Sequence, residues 1–474
     1  MCKIQFHLFH FFHYNQIRRS FKGVDEMNQH QPDLEARSPW SKNSDKHVVK
    51  VSPPAAAVDR AITLSGSKSL TNRALVMAAL AEGRSEIKGI LKSDDSYWCI
   101  ESLRKLGITV DIEDETAYVE GCGGHWPNPA GELYVGAAGT IARFLPAALA
   151  AGTGTWTMNG SKRLCERPLG PLLDALTNLG AQFEYKQTER CLPFTLKANG
   201  LNGGKATLPG STSSQFISGL LLAAPYAKEQ LTVHIAGEVV QRDYVEMTLS
   251  MMDSFGVTPV GSEDGQSITI PTGKYQGRTL SLEPDISTCC YFWAVAALTA
   301  GRIRIEGINA NNTSQPDIEF LDVLELMGCT VLRGESFVEV IGVQQLKGGF
   351  TVSMKKWSDQ TLTVAAMAIF AEAPITLKDA AHIRHHECDR IAAICEELTK
   401  LGIRVEEFED GLTVYPGQPT PVLLDSHDDH RMAMALSLVG LKTQNVQITD
   451  PGCVSKTCPD YFDRLSALGV QIHY

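Results

Sequence analysis

Two patterns of hydrophobic and polar residues alternate along this sequence of 474 residues. In the first, a short loop of small and polar residues leads into an apolar stretch of helical length, and a β-branched stretch follows. In the second, an amphipathic stretch ends at a glycine and is followed by a strand, often with a hairpin signal. Such spacing predicts helices and strands in regular alternation.

Both patterns recur six times, with a period of about 70 residues. The first covers residues 66–90, 136–158, 210–235, 285–305, 358–377 and 428–448. The second closes at Gly107, Gly180, Gly256, Gly328, Gly402 and Gly469. Glycine just past the last helical turn is the expected helix stop. The first-pattern helices are too apolar to stay in water alone, so the six β-α-β-α-β units must pack together.

We predict two domains of three units each, facing each other. A TIM barrel is disfavoured because most units end in a hairpin signal rather than a parallel crossover. A solenoid of stacked repeats is the alternative. Charged residues recur at the same loop position of the units, which favours loops that converge between two domains.

Composition narrows the class of protein. The chain is 43% hydrophobic and 20% charged, as in a globular protein. A net charge of −11 disfavours a nucleic-acid binder, which carries a basic surface. The 12 cysteines include no C-x-x-C pair, which favours reduced thiols and a cytoplasmic location. No run reaches the length of a membrane-spanning helix.

The stretch of residues 1–46 differs from the rest. It is rich in aromatic residues and histidine and has no acidic residue before Asp25. Three histidines interrupt its apolar part, which disfavours a secretory signal. A transit peptide and an untranslated leader upstream of a start at Met27 both stay open. We expect this leader to be disordered.

The helix-opening loops carry the candidate chemistry. They contribute lysines, arginines and a few carboxylates, together with hydroxyls and an amide. These residues are Lys68, Ser69, Arg73, Gly139, Thr140, Arg143, Arg163, Arg167, Ser213, Ser214, Gln215, Asp359, Glu387, Arg390, Asp429, His430, Arg431 and Lys456. Helix N-termini favour anions, and converging cations predict substrates with several negative charges. Carboxylates among them are candidates for proton transfer.

Two other interpretations were weighed. The first is a metal site made of His385, His386, Glu387, His427, Asp429 and His430. The adjacent Arg390 and Arg431 would repel a divalent cation, and no ligand spacing repeats. The second is that each arginine belongs to a surface or interdomain ion pair. That explanation suits any single arginine better than the whole set.

At these residues the chain resembles the EPSP synthase family from about residue 49 to the C-terminus. The matching motifs are Gly66-Ser67-Lys68-Ser69-x-x-Asn72-Arg73, Ala138-Gly139-Thr140, Glu166-Arg167-Pro168, Ser213-Ser214-Gln215-Phe216, Asp389-Arg390, Asp429-His430-Arg431-Met432-Ala433 and Lys456-Thr457-x-Pro459-Asp460. The resemblance implies an inside-out α/β barrel of two domains, each with three β-α-β-α-β-β repeats, helices inside and sheets outside. Domain 1 would hold residues 47–65 and 284–474, and domain 2 residues 66–283.

The resemblance also implies a reaction. The family transfers the enolpyruvyl group of phosphoenolpyruvate to the 5-hydroxyl of shikimate 3-phosphate, without metal or cofactor. Shikimate 3-phosphate would contact Lys68, Ser69, Arg73, Ser213, Ser214, Gln215, Gln241, Asp359 and His386. Phosphoenolpyruvate would contact Lys68, Gly139, Arg167, Gln215, Arg390, Arg431 and Lys456. The catalytic residues would be Asp359, Glu387, His386 and Lys68, with Asp359 as base and Glu387 helping to protonate the methylene. We expect a monomer.

Some positions depart from the family pattern. His386 stands where many members have lysine, and Gln241 where serine usually contacts the shikimate phosphate. Ala137 replaces a common asparagine, and Phe144 a common proline. Because histidine titrates near neutrality, we expect a shifted pH optimum. These changes leave the response to glyphosate open.

Three other functions stay open on the sequence. The first is the sister family that acts on UDP-N-acetylglucosamine, which carries a cysteine where this chain has Lys162. The second is an enolpyruvyl transferase of secondary metabolism acting on another alcohol or nucleotide, which Gln241 keeps open. The third is a homologue without turnover, disfavoured by the presence of Asp359 and Glu387.

Overall fold

The computed structural model describes residues 32–474, and this part of the chain alternates helices and strands as the sequence predicts. The helices are α1 (Lys68–Leu80), α2 (Asp94–Lys105), α3 (Gly139–Ala151), α4 (Lys162–Glu166), α5 (Gly170–Asn178), α6 (Ser214–Ala223), α7 (Asp243–Ser254), α8 (Ile286–Thr299), α9 (Phe320–Leu326), α10 (Thr361–Ala368), α11 (Arg390–Lys400), α12 (His430–Val439) and α13 (Tyr461–Ala467). Among these described residues, no helix is both long and apolar enough to cross a membrane.

The strands are short. They are β1 (Val48–Ser52), β2 (Asp59–Ile62), β3 (Glu82–Lys88), β4 (Val110–Glu113), β5 (Thr116–Cys122), β6 (Ala130–Tyr134), β7 (Thr153–Asn159), β8 (Gln182–Tyr185), β9 (Phe194–Asn199), β10 (Gly204–Pro209), β11 (Leu231–Ala236), β12 (Val260–Gly261), β13 (Ser267–Ile270), β14 (Thr279–Ser281), β15 (Arg302–Glu306), β16 (Thr330–Arg333), β17 (Phe337–Ile341), β18 (Phe350–Ser353), β19 (Ile375–Lys378), β20 (Val405–Phe408), β21 (Gly411–Val414), β22 (Leu423–Leu424), β23 (Val446–Thr449) and β24 (Gln471–His473).

The described strands form six four-stranded sheets with one shared topology. Their orders are β14-β3-β5-β4, β6-β7-β9-β8, β10-β11-β13-β12, β2-β15-β17-β16, β18-β19-β21-β20 and β22-β23-β1-β24. In each sheet the first pair is parallel and the other two pairs are antiparallel. Five of the six sheets end in a hairpin, and in the sixth β24 pairs with β1 instead. These antiparallel pairs distinguish the fold from a TIM barrel.

Two separate hydrophobic cores hold the sheets together. The core of lobe 1 uses residues 49–58 and 286–470, and the core of lobe 2 uses residues 70–275. The first-pattern helices fill both cores: every residue of α3 is buried, and so are residues 286–298 of α8. The sheets cover the outside, as the alternating burial of β7 illustrates. The predicted two-domain α/β fold with helices inside is confirmed, whereas the exact domain boundaries stay a prediction.

The chain passes between the lobes twice, and the two crossing segments touch. Gly66 pairs with Pro284 in an antiparallel bridge. The N–H of Ser67 donates to the carbonyl of Glu283 at 2.9 Å, and the N–H of Asp285 donates to that of Ser65 at 3.0 Å. Each crossing directly follows a strand of the lobe that the chain leaves: β2 pairs with β15 of lobe 1, and β14 pairs with β3 of lobe 2.

The described residues cover only part of the predicted leader of residues 1–46. Residues 1–31 lie outside the described residues. The prediction of disorder is wrong for residues 32–46, which include the short helix Leu34–Ala36 and make hydrogen bonds to both lobes. Their polar composition suggested disorder, but buried partners elsewhere in the fold hold them in place.

Gly66 is required at the crossing because a side chain there has no room. A Cβ at this position would lie 1.7 Å from the carbonyl oxygen of Gly89. We expect Gly66→Ala to destabilise the protein by about 2 kcal/mol or more, since backbone must shift to relieve the overlap. Chemical denaturation measures the change. Gly131→Ala is the control, because its Cβ would meet nothing within 4 Å. Equal stability of the two variants would contradict the tight crossing.

Candidate active site

A polar cleft lies between the two lobes, and residues of both line it. Lobe 2 contributes Lys68, Ser69, Arg73, Thr140, Arg167, Ser213, Ser214, Gln215, Gln241 and Tyr244. Lobe 1 contributes Asp285, Ser287, Asp359, His386, Glu387, Arg390, His430 and Arg431. Thirteen of the fifteen predicted site residues are thus in one cleft, and the other two, Gly139 and Lys456, lie at its edge.

Capped helix N-termini bring these side chains into the cleft. Ser67 accepts a hydrogen bond from the N–H of Leu70 at the start of α1, which places Lys68 and Ser69 on its first turn. Ser213 caps α6, and Asp429 caps α12 by accepting from the N–H of Arg431 at 2.8 Å. Because helix N-termini carry partial positive charge, the cleft favours anions before any side-chain charge is counted.

The buried guanidinium of Arg390 organises the lobe 1 side. It donates to Asp429 at 2.7 Å, to Asp359 at 2.9 Å and to Glu387 at 2.9 Å. Burial alone would lower the pKa of Arg390, but the three carboxylates outweigh it and raise the pKa above its ordinary value. Arg390 therefore stays charged and fixes three carboxylates around the cleft.

Asp359 faces two arginines. Besides Arg390, the Arg431 guanidinium lies 2.8 Å from its Oδ2. Burial would raise the pKa of Asp359, but Arg431 and Arg390 outweigh it and hold the pKa well below the usual range. The carboxylate is therefore ionised, and its affinity for a proton rises only when the two arginines are drawn away from it.

Glu387 lies among cations from both lobes. Arg390 is 2.9 Å away, Arg167 of lobe 2 is 3.6 Å away, and the Lys456 ammonium is 3.9 Å away. Burial opposes ionisation, but these cations lower the pKa of Glu387 well below its ordinary value. Its carboxylate therefore neutralises three cations that are suited to bind an anionic ligand.

Two lysines share one buried carboxylate at the edge of the cleft. The Lys456 ammonium is 3.0 Å from Asp95, and the Lys68 ammonium is 3.6 Å from the same carboxylate. Lys456 also donates to the carbonyl of Ala137. Gly139 lies close by, since a Cβ there would be 3.1 Å from the Arg167 guanidinium. Asp95 was not predicted from the sequence.

Arg73 is buried without a carboxylate partner among the described residues. Its guanidinium donates instead to the hydroxyl of Thr248 at 2.7 Å and to the carbonyls of Ser69 and Tyr244 at 3.0 Å. Burial lowers the pKa of Arg73 to about 10. A buried cation that lacks a counter-ion favours an anionic ligand.

Gln241 reaches across the cleft. Its φ of 55° places it in the left-handed region, and its amide donates to the Ser358 hydroxyl at 3.1 Å. Ser358 in turn pairs with the His382 ring at 2.7 Å. The long side chain that replaces the family's serine therefore bonds lobe 1, next to Asp359.

The expectation that His386 titrates near neutrality is wrong for this arrangement. Burial and the Arg390 guanidinium, 3.0 Å from Nδ1, lower its pKa well below the ordinary value. His386 is therefore neutral near pH 7 and accepts a hydrogen bond from Arg390.

Some cleft residues were absent from the predicted site. They are Thr140, Tyr244, Asp285, Ser287 and His430. Thr140 and His430 belong to motifs that the sequence analysis identifies. Asp285 is the first residue of the fourth apolar unit, so its position in the repeat was a signal that could have predicted it. Tyr244 carries no such signal. Conversely, Arg163 does not line the cleft, and its guanidinium holds the backbone carbonyls of Glu387 and His386 at 3.0 and 3.2 Å.

The metal interpretation finds no support in the described residues. The one group there with metal-ligand spacing is Glu396, Glu397 and His427, away from the cleft. The Lys400 ammonium lies 2.9 Å from Glu396 and 2.7 Å from Glu397. A cation already satisfies these carboxylates.

Fold and cleft together define a two-domain α/β enzyme whose site is built for anions. The EPSP synthase (3-phosphoshikimate 1-carboxyvinyltransferase) family model matches residues 53–465, and the chain belongs to this family. It is 52% identical over 445 residues to "3-phosphoshikimate 1-carboxyvinyltransferase 2" of Halalkalibacterium halodurans. The aligned part makes up 93% of this chain and 99% of the relative.

Further comparisons agree. The chain is 41% identical over 409 residues to the 3-phosphoshikimate 1-carboxyvinyltransferase of Trichormus variabilis, covering 86% of this chain and 96% of the relative. The solved EPSP synthase of Acinetobacter baumannii superposes with a TM-score of 0.76 at 26% identity, covering 90% of this chain and all of that one (100%).

The neutral His386 predicts a pH effect on stability. The unfolded chain takes up a proton at histidine below a pH of about 6.5, whereas folded His386 does not until its lower pKa is reached. The contribution of His386 to the free energy of unfolding is thus complete above the pKa of the unfolded chain, about 6.5. It is lost as the pH falls from there towards the lower pKa of the folded chain. We expect His386→Gln to flatten the acid-side loss of unfolding free energy by up to about 1.4 kcal/mol per pH unit.

Denaturant titrations from about pH 5 to about pH 8 measure this slope, because these values lie on either side of the ordinary histidine pKa. Replacing the exposed His125 by glutamine is the matched control. Parallel curves for the parent and His386→Gln would contradict a lowered pKa of His386 in the folded chain.

Proposed function

We infer that this chain transfers the enolpyruvyl group of phosphoenolpyruvate to the 5-hydroxyl of shikimate 3-phosphate. The products are 5-enolpyruvylshikimate 3-phosphate and phosphate, a step of the shikimate pathway to chorismate and aromatic amino acids. The observation that carries the inference is the cleft, where cations of both lobes surround a few carboxylates in a chain of this family. The cations suit substrates that carry several negative charges, and the carboxylates suit proton transfer between them.

Shikimate 3-phosphate binds mainly to lobe 2. The buried Arg73, with no carboxylate partner among the described residues, and the hydroxyls of Ser69, Ser213 and Ser214 form a site for its phosphate. Gln215, on the first turn of α6, adds an amide. The Gln241 amide is available to the same ligand if it exchanges its bond to Ser358.

Phosphoenolpyruvate binds between the lobes. Arg390 and Arg431 come from lobe 1, and Lys68 and Arg167 come from lobe 2. Lys456, 3.9 Å from Glu387, completes the set with Gly139. These cations now neutralise Asp359, Glu387 and Asp95, so the substrate anions enter a site whose charges are already in position.

Proton transfer falls to the two cleft carboxylates. Asp359 takes the proton of the 5-hydroxyl as its oxygen attacks the central carbon of phosphoenolpyruvate. Glu387 helps to protonate the methylene, because binding of the anion draws Arg167 and Lys456 away from it and favours its protonated form. Loss of a methyl proton and of phosphate from the tetrahedral intermediate then restores the double bond.

Closure of the cleft is part of the function. Arg167 and Lys68 of lobe 2 face Glu387 and Asp359 of lobe 1 inside it, so the full set of contacts exists only with the lobes together. Exclusion of water there strengthens each charge interaction. A monomer and the absence of a cofactor stay predictions.

An altered acceptor is the alternative, since Gln241 departs from the family pattern. Incubation with phosphoenolpyruvate and either shikimate 3-phosphate or UDP-N-acetylglucosamine decides between them. We expect a new enolpyruvyl ether by proton nuclear magnetic resonance with shikimate 3-phosphate alone. Formation of an ether only with the nucleotide sugar would refute the proposed acceptor.

Asp359 as base predicts a large kinetic effect. We expect Asp359→Asn to lower kcat by about 10²- to 10⁴-fold, because the amide keeps much of the shape but cannot take the proton. Steady-state phosphate release measures it. Asp322→Asn is the control, since that carboxylate is 70% exposed. A variant within about threefold of the parent would remove Asp359 from this role.

A further inference from the structure

Residues 32–46, here called the strap, lie across both lobes. Its helical turn Leu34–Ala36 is followed by Arg37, whose side chain is only 10% exposed, and by Ser38, which is 7% exposed. Burial of charged and hydroxyl side chains in a segment of this composition needs specific partners. Those partners belong to segments that also carry cleft residues.

On lobe 2 the strap holds the first residue of α2. The hydroxyls of Ser38 and Ser41 each donate to Asp94 at 2.6 Å, and the N–H of Ser38 donates to it at 3.0 Å. One turn later, the Trp98 indole donates to the carbonyl of Ala36 at 2.7 Å. The next residue after Asp94 is Asp95, the carboxylate shared by Lys68 and Lys456.

On lobe 1 the strap holds two carboxylates, the buried Asp450 and the partly exposed Asp428. The Arg37 guanidinium is 2.7 Å from Asp450 and 2.9 Å from Asp428. Asp428 directly precedes Asp429, which caps α12 and binds Arg390. Asp450 directly precedes the helical segment Pro451–Lys456. Burial raises the pKa of Asp450 to about 7, and Arg37 opposes this rise.

A third contact lies beside Lys456 itself. The N–H of Lys42 donates to the Ser455 hydroxyl at 3.0 Å, and that hydroxyl donates back to the carbonyl of Lys42 at 3.2 Å. The strap therefore binds three residues, Asp94, Asp428 and Ser455. Each of them directly precedes a charged residue at the end of the cleft proposed to bind phosphoenolpyruvate. Asp33 adds a further link: its carboxylate accepts from the N–H of Lys162 at 2.9 Å, and its own backbone N–H donates to the Asp428 carboxylate at 3.3 Å.

We propose that the strap is a positioning element for phosphoenolpyruvate: through Asp94, Asp428 and Ser455 it fixes Asp95, Asp429 and Lys456. The substrate assignment rests on the proposed function. The strap contacts no cleft side chain directly, so it acts on the site through the backbone segments that carry these three residues. It also bonds both lobes at once, which favours the closed cleft. Loosening it displaces the lysine pair and Arg390 by a small distance, which is enough to weaken a charged ligand.

The test removes the Arg37 charge in the full chain with Arg37→Met. We expect KM for phosphoenolpyruvate to rise about tenfold while KM for shikimate 3-phosphate stays within about twofold. Arg37→Lys should restore part of the affinity, because a lysine still neutralises Asp428 and Asp450. The double variant Ser38→Ala/Ser41→Ala, which acts at the other end of the strap, should show the same split.

Lys46→Met is the matched control on the strap. Its ammonium pairs with Asp45 at 2.8 Å within the strap, and both side chains are exposed (40% and 73%), so its loss should leave both KM values unchanged. A purely structural role would lower the melting temperature of Arg37→Met and leave its kinetic constants as in the parent. That result would overturn the proposal.

Backbone hydrogen exchange tests the strap without turnover. In Arg37→Met we expect faster exchange at residues 428–431 and 450–457, with the core helices α3 and α8 unchanged. Unchanged exchange at these two segments would overturn the proposal whether or not the chain turns over the two substrates. Failure of the parent to form product would instead refute the proposed function and leave the exchange result to decide on the strap.

Discussion

The buried Arg390 guanidinium and its three carboxylates are the interaction on which the rest of the cleft depends. One cation holds Asp359, Glu387 and Asp429, which lie on separate segments of lobe 1. Leaving any of these carboxylates buried without it would cost several kcal/mol, roughly the loss measured on breaking buried ion pairs. The arginine thereby keeps the proposed base Asp359 ionised, and it fixes the Asp429 side chain that caps α12. In the proposed reaction this one charge would serve both to bind phosphoenolpyruvate and to orient the two carboxylates that move protons.

That arrangement needs two lobes whose helix N-termini face each other. Apolar helices bury themselves inside each lobe and leave only their first turns at the interface, where the polar loops lie. The touching segments around Gly66 and Pro284 join the lobes at one place and leave the cleft free to close around substrate. Carboxylates of one lobe meet cations of the other in the closed cleft, so substrate anions replace contacts that already exist.

The repeat made most of this predictable. Six apolar stretches at regular spacing place Lys68, Arg73 and Arg431 at equivalent positions of the repeat. Equivalent loops were expected to converge, and these three side chains do line one cleft. What the sequence could not reveal depends on distant partners: the low pKa of His386 comes from burial beside Arg390, and the role of Asp95 comes from Lys456, far away in the chain. Residues 32–46 have a composition typical of disorder, and they are ordered by partners that lie far away in the sequence, such as Asp94, Asp450 and Ser455.

The central claim is that cations of both lobes act on one substrate pair in one site. A double-mutant cycle tests it with Lys68→Met in lobe 2, Arg431→Met in lobe 1 and the double variant, each assayed for kcat/KM with phosphoenolpyruvate at saturating shikimate 3-phosphate. The account predicts a coupling free energy of about 1 kcal/mol or more between the two positions. Additive losses, within about 0.5 kcal/mol, would show that the two cations act independently and would contradict a shared site.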